Sequence, residues 1–133
     1  MLTSNSQSRA VTAKRLVLLI AVAATITGCQ PGPGKTVPDN IIGIWKTSHP
    51  KYADRYIEIK SDALVFGTGG DTLRRHAIAE VEVSRQGDST LYTISYTNQH
   101  EQRYRFAFFY DPANNGTMRL KNQQHITWTR EKR

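Results

Sequence analysis

The stretches "TLYTISYT" (90–97) and "QRYRFAFFYD" (102–111) restrict this chain more than any other feature of its sequence. In the first, Tyr92, Ile94 and Tyr96 alternate with Thr93, Ser95 and Thr97. In the second, Tyr104, Phe106, Phe108 and Tyr110 fall on every other position. A strand sends successive side chains to opposite faces, so a period of two gives each stretch one aromatic face; a helix would scatter those rings. "NQHE" between them is the length of a hairpin turn, which makes the pair antiparallel neighbours. The pattern repeats along the chain. β-favouring runs at 41–47, 52–60, 63–68, 72–85, 117–122 and 125–130 are separated by "SHPK", "SD", "GTGG", "QGDS" and "PANNG". The first half of 72–85 also fits a helical turn. From Asn40 onward no amphipathic helix of useful length is found.

These runs predict an all-β domain over 40–133, an up-and-down antiparallel barrel of about eight strands in which sequence neighbours are spatial neighbours. Eight strands suffice to close a barrel and remove its edges. Each strand with its turn takes about eleven residues, so the strands are short and the expected interior is filled by side chains.

Charge narrows the function classes. The formal net charge is +7, but Arg9, Lys14 and Arg15 all precede an oily run. From Cys29 onward fifteen Lys/Arg stand against eleven Asp/Glu, an excess too mild to call for nucleic acid. Hydrophobic residues make up 38% of the 133, enough for one core and against a disordered chain. Cys29 is the single cysteine, so no internal disulfide frames the domain.

The N-terminus explains that cysteine. A polar stretch ending in Lys14-Arg15 is followed by the uncharged run "LVLLIAVAATI" (16–26), then Thr27, Gly28 and Cys29. A spanning helix needs about 20 apolar residues; this run is shorter and fits the apolar core of a secretory signal peptide. Ile26-Thr27-Gly28-Cys29 resembles the lipobox of bacterial lipoprotein precursors. The resemblance implies a signal peptide at 1–28, cleavage between Gly28 and Cys29, a diacylglyceryl group on the Cys29 sulfur and an acyl chain such as palmitate on its new amine. Gln30, where aspartate would retain such a protein at the inner membrane, implies an outer-membrane anchor in a Gram-negative cell, with the domain facing the periplasm. Residues 29–39, rich in Pro and Gly, read as the lipidated tether.

A second resemblance lies in the domain. Gly43-Ile44-Trp45 in the first strand, with Arg130 closing the last, is similar to the lipocalin arrangement. It implies that Trp45 plugs one end of the barrel and that Arg130 lies across it.

Candidates for chemistry are few. His49, His76, His100 and His125 are widely separated and read as exposed loop residues, without the spacing of metal ligands. No G-x-S-x-G frames a nucleophile, and "GTGG" lacks the lysine and helix of a phosphate loop. Neither catalysis, metal nor cofactor is expected. Arg74 beside Arg75 reads as a solvated pair or as a contact for an anionic ligand or partner. Trp45, Tyr92, Tyr96, Tyr104, Phe106, Phe108 and Tyr110 read as core, or as the wall of a ligand pocket with hydroxyl handles. Phe109 faces the other way from Phe108 and, with Arg103 and Arg105, is a candidate partner surface. The functional expectation is a lipid-anchored, non-catalytic barrel that binds another envelope protein as scaffold or inhibitor. The alternative is lipocalin-like binding of a small apolar or amphipathic ligand.

Overall fold

The computed structural model describes residues 34–70 and 73–132. Cys29, Gly28 and the rest of the signal segment lie outside the described residues. The chain forms eight strands: β1 (Gly43–Lys46), β2 (Tyr56–Ile59), β3 (Ala63–Gly67), β4 (Leu73–Gln86), β5 (Ser89–Thr97), β6 (Arg103–Asp111), β7 (Thr117–Leu120) and β8 (Gln123–Arg130). They close in chain order into one antiparallel barrel, as the alternation predicts, with β1 meeting β8 through Trp45↔Arg130 and Lys46↔Thr129.

Turn chemistry accounts for the order. Gly69 and Gly70 take φ of 80° and 73° after β3. Between β5 and β6 the Asn98 side chain accepts from the backbone N–H groups of His100 and Gln102, both at 2.9 Å, which turns the chain without a glycine. After β6, Asp111 accepts from Ala113 N–H, and Asn114, Asn115 and Gly116 all take positive φ. Residues from Leu73 onward are strand throughout, so the helical alternative for the start of 72–85 does not form. Its Leu73–Ala77 portion is needed to pair with β3. Conversely, the start of the 52–60 run is not strand. Pro50–Tyr52 makes a 3₁₀ turn whose first free N–H, that of Lys51, is capped by His49 Nδ1 at 3.3 Å.

The barrel is lopsided. β1, β2, β3 and β7 have four or five residues, whereas β4 has 14 and β5 and β6 have nine each. One wall is therefore taller than the other. The core lies low, around Trp45, Ile59, Leu64, Ile94, Phe108 and Met118, all essentially inaccessible.

One end of the barrel is shut. A 3₁₀ turn at Asp39–Ile41 crosses it, with Val37 and Ile41 buried in the core. Trp45 stands above this plug and donates from Nε1 to the Ile41 carbonyl at 3.0 Å. Arg130 lies over the Trp45 ring with its guanidinium carbon 5.0 Å from the centroid, and donates to the Asn40 carbonyl. Gly43 permits that approach: its φ is +147°, and a Cβ there would meet the Arg130 side chain at 3.2 Å. The expected tether, 29–39, overlaps the folded domain in its described part. From Gly34, which exchanges backbone hydrogen bonds with Val81, the chain is part of the domain.

Candidate functional site

Opposite the plug the barrel opens. A cup of about 510 Å³ occupies the mouth. The inward face of β6 climbs toward it: Phe108 is sealed, Phe106 is half-buried, and Tyr104 at the rim is 44% exposed. The aromatic face expected as core or pocket is therefore both, depending on height. Tyr92 and Tyr110 belong to the lower part, where their rings pack on Phe108 and Trp45. Tyr96, Tyr104 and Phe106 line the cup.

The tall wall of the cup, together with Phe66 of the adjoining short strand β3, is a set of mutually packed rings. Phe66 lies 5.6 Å from Phe106 and 5.8 Å from Tyr96 between centroids; Tyr96 stacks on Tyr104 at 5.7 Å and meets His76 at 4.9 Å. These separations are within the range in which aromatic pairs attract. Burial, and after it the neighbouring Tyr104 phenol, raises the Tyr96 hydroxyl above the ordinary phenol range. Tyr96 therefore stays protonated, and a donor, at physiological pH. On the short wall Tyr52 leans on Trp128 at 5.8 Å and accepts from Gln123 Nε2 at 3.0 Å. The Trp128 indole N–H is buried with no hydrogen-bond partner among the described residues, and an unmet donor of this kind costs about 1–3 kcal/mol.

His76 corrects the reading of the histidines as loop residues: it is in β4, half-buried between Phe66 and Tyr96. His100 is exposed in a turn. His49 and His125 approach to 6.4 Å between centroids near the mouth. Among the described residues no group of three or more His, Cys, Asp or Glu is placed to hold a metal ion. Strand alternation separates the two adjacent arginines. Arg75 reaches Asp62 at 3.1 Å, while Arg74 lines the cup. Arg55, from the turn before β2, joins it at the mouth with its guanidinium carbon 5.5 Å above the Tyr52 ring.

The surface expected from Arg103, Arg105 and Phe109 does not form one patch. Phe109 is on the outer face, half-buried, and its cross-strand neighbours are Leu91 and Arg119. Arg105, four residues back and so about 13 Å away along the strand, reaches across β5 to Glu82 at 2.7 Å. That ion pair spans the strand carrying Thr93 and Ser95, which are buried although they point outward. Arg103 pairs with Thr97 at the end of the ladder and is exposed.

Gly67 belongs to the cup wall for a steric reason. A Cβ there would stand 2.1 Å from Cε1 of Tyr56, its cross-strand partner. Gly67→Ala is expected to drive the Tyr56 ring off the wall. Because that ring tip is at a half-exposed edge, the cost falls at the lower end for overpacking, about 1 kcal/mol. A urea titration and the Tyr56 ring resonances check the two effects.

Protein-family models, curated proteins and solved structures were each compared with this chain, and none matches it.

Proposed function

We propose that the protein is a lipid-anchored component of the bacterial envelope, attached through Cys29, whose barrel takes a small amphipathic ligand into its open end. The cup carries this reading. Pockets for small ligands fall at about 300–1,000 Å³ and join apolar walls to a few polar groups; the mouth of this barrel, at about 510 Å³, has that size and makeup. Short strands argue for a filled interior, but only the low wall is short. The scaffold or inhibitor reading has less support, since Phe109, Arg103 and Arg105 do not converge and Arg105 is engaged by Glu82.

Native mass spectrometry of the full chain, extracted gently from its own host, tests the proposal. A reproducible extra mass of a few hundred daltons is expected beyond protein and lipid, and it should vanish in Leu120→Trp, which fills the cup from the short wall. Protein mass alone under the mildest conditions in both forms would count against it.

A further inference from the structure

From the charges around the cup we infer that its ligand is a planar aromatic anion, an arene carrying a carboxylate or similar group. This rests on the reading of the cup as a ligand site and adds its chemical class. Two independent features lead to it.

The first is charge. The lining brings together Arg55, just before β2, and Arg74 of β4, on either side of β3, with His76 deeper on the same strand as Arg74. No carboxylate is among the described lining residues. Arg75, one residue from Arg74, shows the ordinary alternative: on the outer face it has an acidic partner, Asp62. Arg74 has no ion pair among the described residues. Two forked guanidinium groups at the edge of an apolar hollow suit a planar anion, which each can bind through paired N–H donors. A neutral ligand would leave Arg74 without a charged partner among the described residues, and a cation would be repelled.

The second feature is the wall. Phe66, His76, Tyr96, Tyr104 and Phe106 form a continuous packed set, so a guest entering beside them meets ring faces and edges. A flat arene covers such a wall at less entropic cost than a flexible chain, because it has few rotors to freeze. Its anionic group then lies at the mouth, where Arg55 and Arg74 are exposed and water completes its solvation.

The probes are 2-naphthoate and its neutral isostere 2-naphthamide, titrated by calorimetry into the full chain in dodecyl maltoside, with empty micelles as blank. The carboxylate should bind at least about tenfold more tightly than the amide, the order expected of charge-assisted hydrogen bonds. Arg55→Gln with Arg74→Gln should remove that preference, bringing the carboxylate affinity down to the level of the amide. Both positions are exposed, so the substitutions spare the core. Arg103→Gln, on the outer face, should leave both affinities as they were. Equal binding of the two probes, indifferent to the cup arginines, would overturn the anion assignment while the cup remained a ligand site. Binding of neither probe, together with bare protein in the mass spectrum, would overturn both.

Discussion

Trp45→Ala is expected to lower the stability of the domain by about 3–5 kcal/mol, the range for removing a large buried aromatic. Small domains have only about 5–15 kcal/mol in total, so a large part of the population would unfold at elevated temperature. The magnitude follows from what the ring holds. Trp45 is 0% exposed; its Nε1 meets the Ile41 carbonyl, its edge meets Tyr110 at 6.2 Å, and its face carries the Arg130 guanidinium. Alanine leaves a cavity, an unpaired carbonyl in the plug and a cation that has lost its aromatic face. Trp45→Phe restores most of the volume and should recover more than half of the loss, leaving mainly the hydrogen bond to Ile41. Urea denaturation of the three forms measures this. A loss below about 1 kcal/mol for alanine would show that the plug and the strands hold the closed end without the indole.

How much of this was readable beforehand depends on the range of the interaction. Strand positions and hairpin turns are local or nearest-neighbour properties, and period-two alternation with turn residues reveals them; closure, which pairs β1 with β8, follows only from the count of about eight strands. Trp45 and Arg130 are legible only through the resemblance of Gly43-Ile44-Trp45 and the late arginine to the lipocalin arrangement. The cup is not legible. Alternation says that Tyr104, Phe106 and Phe108 share a face, but not that the facing strands stop short of Tyr104; that requires the register of β1 to β3 against β4 to β6. Arg74 and Arg75 posed the same problem, since only the pairing Phe66↔Arg74 puts one of them inside. Tyr52 falls at the start of the β-favouring run 52–60, but Pro50 and the His49 cap put it in a 3₁₀ turn, from which it closes the short wall. Val37 lay hidden in a Pro/Gly-rich stretch, where composition suggests a linker and one buried side chain makes it structure.

If Cys29 carries the proposed lipid, Cys29→Ser should release the protein from the membrane. Lipidation forms a thioether at sulfur, and a serine hydroxyl is too weak a nucleophile to replace it. Each buried methylene contributes about 0.8 kcal/mol and one chain binds only marginally, so two or three chains give a lasting anchor and none gives no anchor. Labelled palmitate is therefore expected in the parent and not in the variant, which should accumulate as a precursor still carrying residues 1–28 or appear as soluble protein. Equal labelling of both would defeat the anchoring proposal. Chain geometry adds a directional consequence. Gly34 is bonded to Val81, and the following residues enter the barrel beneath Trp45, at its closed end. Five residues reach at most about 18 Å, so a lipid on Cys29 keeps the plugged end near the membrane and turns the cup toward water. Soluble Cys29→Ser protein should then bind 2-naphthoate as tightly as the anchored form, since the bilayer contributes nothing to the mouth. A several-fold loss on release would instead mean that the membrane forms part of the site.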